Sequence, residues 1–440
     1  MTAPSPPVFL LVLLCFHQIS VCFGWSCDDI ESPTNATLSF RSLALVDPEA
    51  VCNDGSSGGY YIDHGDPSLW LIYLGGGSWC WDAESCAERW ENGCPQSYSN
   101  EDNKISCMSN ASFSNTCAKS GIFDRNKSSN PALATATLVY VPYCTSDAHM
   151  GDVPASDSTY GWAFRGARVV RAVVADLQKN EGLGITSAPR QRLVMGGGSA
   201  GARGSMVLLD EITGFLSESV DVVGFLDSPM IMDVGSYAPS ADASFNGFAE
   251  QHQQIYGLIG GREASVVPES CAALYARASA GVASDGAWRC LMGQYRLPLL
   301  EAPLSLVAFR FDSYQLSSDL GSAVSPSALD DGQEQYAENF GTAARILLGG
   351  LASASAPTRA IFSPACWNHH QSENSNFWTI TAAHASAVPN GLSDTAGSAM
   401  ATGTTTTMAD FLHRYLQGAV ESNTWMDSCV QANCGAGCSS

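Results

Sequence analysis

A serine lies between glycines at residues 197–201, which read Gly-Gly-Ser-Ala-Gly. This G-x-S-x-G spacing is typical of a nucleophilic serine on a tight turn between a strand and a helix. An apolar run at residues 192–195 precedes it and a helical pattern follows it, as that turn requires. The turn lifts the hydroxyl clear of the sheet, and the helix aims its free N–H groups at negative charge that develops on a substrate. We therefore expect Ser199 to be a nucleophile.

A serine nucleophile needs an imidazole base and a carboxylate that orients the base. His369 and His370 follow an apolar run late in the chain, and Asp312 ends another run. The order Ser199, then Asp312, then histidine is the order found in α/β-hydrolases. The residues alone leave both histidines open as the base. They also leave Asp227, at the end of its own apolar run, as a competing acid.

A glycine-rich loop at residues 75–78, Gly-Gly-Gly-Ser, ends the apolar run Leu69–Leu74. Loops of this type offer backbone N–H groups to the oxyanion of acyl transfer, together with the N–H of the residue after the nucleophile, here Ala200. The alternative is an ordinary tight turn. The serine motif favours the oxyanion hole.

The same glycines also fit a dinucleotide-binding fingerprint, G-x-G-x-x-G, through Gly196, Gly198 and Gly201, with Asp221 further along. Such a fingerprint belongs in the first strand–helix unit, whereas this one follows several predicted strands. A nicotinamide-dependent enzyme is also not expected to be a cysteine-rich exported protein. We expect no cofactor.

Short apolar runs alternate with helical patterns along the chain. Continuous apolar runs are typical of strands that are buried on both faces of a parallel sheet. Helices are predicted at Trp162–Lys179 and Ala200–Leu216. The fold class is therefore α/β: a three-layer sandwich with a mostly parallel central sheet, and with ligands at the carboxyl ends of its strands. The predicted strands are 69–74, 136–141, 192–195, 220–226, 304–311 and 359–362.

Two stretches interrupt this alternation. The Cys- and Trp-rich stretch Trp79–Cys117 is predicted to be a long loop stapled by disulfides, and Ala382–Thr407 to be an irregular, solvated excursion. Nothing resembling a linker or an internal repeat divides the chain, so residues 25–440 are predicted to form a single domain with a cysteine-containing tail at about 419–440.

Composition excludes several classes of protein. The chain has 440 residues, 45% of them hydrophobic, and a formal net charge of −22. Such an acidic chain is a poor general ligand for nucleic acid. After the N-terminal segment, no run has the roughly 18 apolar residues that a membrane span needs. We expect neither a nucleic-acid partner nor a membrane span.

The cysteines and the N-terminus indicate export. Residues 1–24 have a short apolar core and small residues at the end, as in a secretory signal peptide. Fourteen of the 16 cysteines remain once Cys15 and Cys22 are removed with it, enough for seven disulfides. Zinc is the alternative at the C-terminal cysteines, but no paired C-x-x-C accompanies them, so we expect no metal. Sequons at Asn35, Asn110 and Asn126 suit a glycosylated surface.

Taken together, the motifs resemble those of the pectin acetylesterase/Notum family, in the same order and over about residues 52–418. They are Leu-Gly-Gly-Gly-Ser-Trp-Cys at 74–80, Tyr-Cys at 143–144, Phe-Arg-Gly at 164–166, Gly-Ser-Ala-Gly at 198–201, Asp-Ser at 227–228, Phe-Asp-Ser-Tyr-Gln at 311–315 and Cys-Trp-Asn-His at 366–369.

The resemblance implies an α/β-hydrolase-like fold and a secreted carboxylesterase without a cofactor. It matches Ser199 to the nucleophile, Asp312 to the acid and His369, rather than His370, to the base. It matches Gly77 and Ser78, with Ala200, to the oxyanion donors.

Family members act on two kinds of substrate. Plant and microbial members remove acetyl groups from pectin, and animal Notum removes a palmitoleoyl group from Wnt proteins. We expect this chain to remove O-acetyl groups from an extracellular polysaccharide. The alternatives are a deacylase of a lipidated protein and a non-catalytic binding glycoprotein with the same fold.

Overall fold

A ten-stranded sheet forms the centre of the computed structural model. The described residues are 35–91, 107–185, 190–216, 218–237, 245, 247–261, 267–278, 286–321, 325–353, 358–384, 404–418, 424–435 and 437–438. The predicted signal peptide lies outside them. The strands are β1 (Ala36–Ser42), β2 (Gly59–Asp63), β3 (Asp66–Leu74), β4 (Thr116–Lys119), β5 (Ala136–Val141), β6 (Gln191–Gly198), β7 (Val220–Asp227), β8 (Leu304–Val307), β9 (Phe311–Asp312), β10 (Arg359–Ser363), β11 (Trp367–Asn368), β12 (Thr381–Ala383), β13 (Thr405–Thr407) and β14 (Thr424–Met426).

Most of the large sheet is parallel, which confirms the predicted fold class. Its strand order is β14-β10-β8-β7-β6-β3-β5-β2-β1-β4. All pairs from β14 to β5 are parallel, and β2, β1 and β4 continue the sheet in antiparallel fashion. The carboxyl ends of the parallel strands consequently meet at one edge, where ligands bind in such sheets.

Helices cover both faces of the sheet. In β3, Trp70, Ile72 and Leu74 join one buried cluster, together with residues of the helices at 166–176, 200–216 and 331–352. Leu71 and Tyr73 join a second cluster, together with residues of the helix at 408–416. This alternation follows from the pleat of the strand. The helices are α1 (Ala83–Glu91), α2 (Gly166–Asp176), α3 (Ala200–Leu216), α4 (Phe248–Leu258), α5 (Glu269–Ala278), α6 (Gly293–Arg296), α7 (Ser313–Asp319), α8 (Asp331–Ala352), α9 (Asn376–Thr379) and α10 (Met408–Leu416).

Several strands extend beyond their predicted bounds by one to three residues, and two elements differ from the sequence prediction in a way that has a clear structural reason. The predicted strand 304–311 is broken: β8 ends at Val307, and β9 pairs with β11 outside the large sheet. Between them the buried guanidinium of Arg310 donates to backbone carbonyls of the C-terminal tail, which requires the chain to leave the strand path. Helix α2 begins at Gly166 rather than Trp162, because Phe164 is still engaged in a β-bridge with Val153.

The two irregular stretches are only partly described. The first contains helix α1 and continues into residues 92–106, which lie outside the described part. In the second, β12 and β13 pair as antiparallel strands where an irregular excursion was predicted, and residues 385–403 between them lie outside the described part. No helix among the described residues is long and apolar enough to cross a membrane.

Disulfides are present, as predicted, but not all of the seven that 14 cysteines could form. Cys117 is also bonded, whereas Cys107 is a free, buried thiol. The described residues contain no group of three or more His, Cys, Asp or Glu side chains that could hold a metal ion. The bridges within the described part are Cys52–Cys144, Cys80–Cys86, Cys271–Cys290, Cys366–Cys438 and Cys429–Cys434.

Candidate active site

Ser199 occupies the turn between β6 and α3, at the carboxyl edge of the sheet. Its φ is +52°, a left-handed conformation that is strained for a residue with a side chain. The backbone N–H of Ser199 donates to the carbonyl of Asp227, 2.9 Å away at the end of the neighbouring strand β7. The sheet therefore holds the serine in the strained turn that the motif predicts.

The positions around Ser199 leave no room for a side chain, which explains why they are glycines. A Cβ at Gly201 would lie 1.9 Å from the backbone oxygen of Leu74, and one at Gly198 would lie 2.0 Å from Nε2 of His370. A Cβ at Gly197 would lie 2.5 Å from the carbonyl carbon of Gly201. Only glycine fits this close approach between the turn, strand β3 and the histidine loop.

Ser199, His369 and Asp312 form one continuous chain of hydrogen bonds. The Nε2 atom of His369 lies 2.7 Å from the Ser199 hydroxyl, and its Nδ1 atom lies 2.7 Å from Oδ2 of Asp312. A carboxylate only accepts, so Nδ1 carries the proton and Nε2 is free to accept the serine proton. The short pairing of β9 with β11 brings Asp312 opposite Asn368, directly before His369.

Asp312 has a second task in the fold. Its Oδ1 accepts from the backbone N–H of Gln315, 3.0 Å away, and so caps the N-terminus of α7. Because one oxygen is held by the helix, the other is fixed in its direction toward His369. The carboxylate is thereby oriented before any substrate arrives.

The alternative base, His370, and the alternative acid, Asp227, do not join this chain of hydrogen bonds. The ring of His370 faces the interior, with Nε2 3.0 Å from the Tyr73 hydroxyl and 3.3 Å from Glu373. The carboxylate of Asp227 accepts the backbone N–H groups of Gln371 and Ser372, each at 2.8 Å. Both residues hold the loop that carries His369, and neither contacts the Ser199 hydroxyl.

A buried ionic group supports this loop from below, and sequence reasoning missed it. Glu373 pairs with Lys119 at 2.9 Å, and both side chains are almost fully buried. Burial opposes ionisation of Glu373, but the charges of Lys119 and His370 outweigh it and hold the pKa of Glu373 below its usual value. The only available signal was a lysine in strand β4, in a chain that has very few lysines.

The glycine loop after β3 contains two consecutive residues with positive φ. Gly77 and Ser78 have φ values of +146° and +54°, and their N–H groups donate to no acceptor within the described residues. The Ser78 carbonyl accepts from the hydroxyl of Tyr143 at 2.9 Å. Nε2 of His149 donates to the Gly75 carbonyl at 2.8 Å, and burial lowers the pKa of His149 to about 4, which keeps the ring neutral.

Two side chains beside this loop were not singled out from the sequence. Arg203 lies on α3, one turn after Ser199, with its guanidinium carbon 4.0 Å from the centre of the Trp79 ring. Both are buried. A long polar residue after a G-x-S-x-G motif was a signal that could have been noticed.

The dinucleotide fingerprint does not assemble. Asp221 is the second residue of β7, where it is paired in register with Arg192, while Gly198 is paired with Asp227 at the other end of the strand. The acidic residue and the glycine turn are therefore at opposite ends of the sheet. A ribose held by Asp221 could not have its phosphates at Gly198.

The C-terminal tail packs against the loop that carries His369. Asn433 accepts from the backbone N–H of Trp367 at 2.7 Å, and Asp427 accepts from that of Ala365 at 2.8 Å. The Cys366–Cys438 disulfide closes the same contact. The tail therefore braces the base from outside.

Comparisons with known proteins agree with this architecture. The chain is 29% identical to palmitoleoyl-protein carboxylesterase Notum of Drosophila melanogaster over 340 residues, which is 75% of this chain and 44% of the relative. It is 29% identical to the Mus musculus Notum over 80% of this chain and 64% of the relative. The chain thus spans about half to two thirds of the length of these relatives. It is 27% identical to pectin acetylesterase 7 of Arabidopsis thaliana, over 75% of this chain and 79% of the relative.

A solved structure of the Wnt deacylase Notum from Drosophila is also similar. It superposes with a TM-score of 0.70 at 25% identity, covering 92% of this chain and all of that one. The fold is therefore α/β-hydrolase-like, as predicted. The sequence model of the pectinacetylesterase family matches residues 34–408. The chain belongs to the pectinacetylesterase family.

Proposed function

We propose that this chain is a serine carboxylesterase that removes O-acetyl groups from a polysaccharide. The observation that carries the proposal is the 2.7 Å contact between His369 Nε2 and the Ser199 hydroxyl, continued at 2.7 Å to Asp312. This is the arrangement that general-base activation of a serine requires.

In the acylation step the Ser199 oxygen attacks the ester carbonyl and His369 takes its proton. The Asp312 carboxylate stabilises the imidazolium that forms. The N–H groups of Gly77, Ser78 and Ala200 would donate to the oxyanion, where each donor is worth about 10²–10³ in rate. His369 then protonates the leaving alcohol, and the acyl group remains on Ser199.

In the deacylation step His369 takes a proton from water, which attacks the acyl carbonyl. The same N–H groups stabilise the second oxyanion, and Ser199 leaves with the proton that His369 returns. The products are a free carboxylic acid and the deacylated alcohol. Apart from the ester substrate and water, every group that takes part in these steps belongs to the chain.

Acetylated polysaccharide is the favoured substrate because the family model and the Arabidopsis relative are both described as pectin acetylesterases. The net charge of −22 would make the rate on a polyanionic pectin rise with ionic strength. The second candidate is removal of a long acyl chain from a lipidated protein. The several Notum relatives favour that reading.

Export of the chain is part of the proposal. Disulfides within the described residues suit an oxidising compartment, and the predicted signal at residues 1–24 would direct the chain there. Of the sequons, Asn126 is exposed and is the best placed to carry a glycan. The Nδ2 atom of Asn110 already donates to Ser57 at 2.9 Å, which makes it less suited. Asn35 is half-buried.

The test is hydrolysis of p-nitrophenyl esters from acetate to palmitate by the wild type and by Ser199→Ala. The proposal expects a maximum at acetate and loss of activity in the variant. A maximum at eight or more carbons would favour the lipidated-protein substrate. Equal inactivity of both proteins, without labelling of Ser199 by a fluorophosphonate, would favour a non-catalytic binding protein.

A further inference from the structure

Arg203 is a buried cation one helical turn from the nucleophile. Its backbone N–H donates to the Ser199 carbonyl at 3.0 Å, and the residue is only 1% exposed. Within the described part of the chain, neither Nη1 nor Nη2 has a hydrogen-bond partner, and no carboxylate lies within ion-pair distance. A buried charge of this kind is costly, so its position beside Ser199 calls for a functional explanation.

The guanidinium lies against the loop that presents Gly77 and Ser78. Its carbon atom is 4.0 Å from the centre of the Trp79 ring, and Trp79 directly follows Ser78. The Trp79 ring also meets the His252 ring edge-on, with centroids 4.5 Å apart. Arg203, Trp79 and His252 therefore form a packed layer behind the glycine loop.

Nothing in this layer neutralises the cation. Nδ1 of His252 donates to the Phe248 carbonyl at 2.6 Å, and its Nε2 has no hydrogen-bond partner in the described part of the chain. Burial, and then the charge of Arg203, lower the pKa of His252 to about 3, so the ring is neutral. Burial also lowers the pKa of Arg203, with Tyr314, Tyr143 and Asp312 opposing that effect. A guanidinium nevertheless stays protonated at neutral pH.

We propose that Arg203, stacked on Trp79, closes the acyl side of the site and restricts the enzyme to short acyl groups. This inference rests on the proposed esterase function and names the residue that would set its acyl preference. An acetyl group needs little space beyond the carbonyl carbon. A longer alkyl chain would have to enter the layer and lie against the charged guanidinium.

The physical reason is the environment that a methylene chain needs. Each methylene gains about 0.8 kcal/mol only when it is buried among apolar atoms. Beside Arg203 the chain would instead lie against a charged group that gains nothing from contact with apolar atoms, and the guanidinium cannot shed its proton to reduce that mismatch. Leucine or methionine at this position would offer an apolar wall of similar reach.

The experiment compares kcat/KM for p-nitrophenyl octanoate with that for p-nitrophenyl acetate. Arg203→Leu is expected to raise the octanoate-to-acetate ratio by about tenfold or more. Arg203→Met, which keeps an unbranched side chain, serves if the leucine variant folds poorly. The matched control is Arg171→Leu, whose partner Glu211 lies on α3 and whose side chain is partly exposed. The control should keep the wild-type ratio.

A second readout separates this inference from the esterase proposal. In the Ser199→Ala background, binding of methyl octanoate, an uncharged ester, is measured by calorimetry with and without Arg203→Leu. Binding that appears only with Arg203→Leu supports the inference, even if the wild type hydrolyses no ester and the proposed function fails. An unchanged ratio in folded Arg203→Leu and Arg203→Met would overturn it, as would equal binding of methyl octanoate with and without Arg203→Leu.

Discussion

The hydroxyl of Tyr143 donates to the backbone carbonyl of Ser78 across 2.9 Å. The same hydroxyl oxygen accepts from the backbone N–H of Ala148 at 2.6 Å, so a single side chain joins two loops. Ser78 has a left-handed backbone. The Ser78 carbonyl lies in one peptide plane with the Trp79 N–H, so fixing this carbonyl limits rotation of the backbone at Ser78. It thereby restrains the adjoining N–H groups of Gly77 and Ser78, which are the proposed oxyanion donors.

Tyr143→Phe removes this tie and leaves the ring in place. We expect kcat to fall about tenfold, the equivalent of one hydrogen bond, with KM little changed. The hydrogen bond acts on the loop and not on the bound substrate, which is why kcat carries the effect. Steady-state kinetics on p-nitrophenyl acetate measure it.

The control for Tyr143 is Tyr415→Phe on α10, whose hydroxyl reaches only the Thr358 carbonyl at 3.5 Å, away from the site. That variant should keep the wild-type kcat. A Tyr143→Phe enzyme with unchanged kcat would mean that the loop needs no such support.

The two candidate acids can be separated by substitution. Asp312→Asn keeps an oxygen for the α7 cap but favours the wrong tautomer of His369, so kcat should fall by about 10⁴. Its free energy of unfolding should change little. Denaturant unfolding and kinetics on the same preparation check both expectations.

Asp227→Asn is the companion variant. It reduces the acceptor capacity for the N–H groups of Gln371 and Ser372, so the free energy of unfolding should fall by about 1–3 kcal/mol. Its kcat should exceed that of Asp312→Asn by far. The opposite ranking of the two activities would reassign the acid.

The close contact at Gly201 predicts a steric cost. Gly201→Ala would place a methyl group 1.9 Å from the Leu74 carbonyl oxygen, and both groups belong to the backbone or are rigidly attached to it. We expect the free energy of unfolding to fall by about 1–3 kcal/mol. We also expect kcat to fall, because the displaced turn carries Ser199. Gly214 lies in the same helix, and a Cβ added there would meet no atom within 4 Å outside the adjacent helix backbone. The Gly214→Ala variant should therefore gain about 0.5–1 kcal/mol in the free energy of unfolding. Thermal unfolding of the pair decides the matter.

A buried carboxyl at the end of α7 predicts a pH dependence of stability. Oδ2 of Asp319 has no hydrogen-bond partner among the residues that the structure describes, and burial raises the pKa of Asp319 to about 7. A raised pKa means that the folded state holds the proton more tightly, so this contribution is complete below about pH 4 and is lost as the pH rises toward 7.

Asp319→Asn keeps the shape without the titration. Its stability relative to the wild type should rise from pH 4 to pH 7 by about 1–3 kcal/mol and then level off. Urea unfolding at several pH values follows the difference. A difference that stays flat over this range would show that Asp319 ionises freely in the fold.

The sequence predicts the local parts of this molecule well. Helix Ala200–Leu216 and strand Ala136–Val141 have the predicted bounds, because each is a periodic run with clear ends. The G-x-S-x-G turn is likewise local. The choice between His369 and His370 required the family resemblance, since adjacent residues share every local signal and differ only in the direction of their rings.

The supporting contacts could not be predicted in the same way. Lys119 and Glu373 are 254 residues apart in the chain, and nothing in either neighbourhood indicates the other. The break after Val307 depends on carbonyls of the distant tail that receive the Arg310 side chain. Such contacts follow from the three-dimensional path and leave no periodic trace in the sequence.

The brace on the His369 loop also has a consequence for the timing of biosynthesis. The two cysteines of the Cys366–Cys438 bridge are 72 residues apart, so the loop leaves the ribosome long before its partner. We expect hydrolytic activity to appear only after the tail has been translated and oxidised. Chains released into a reducing lysate should then remain inactive until an oxidant is added, and early activity in such chains would refute this order.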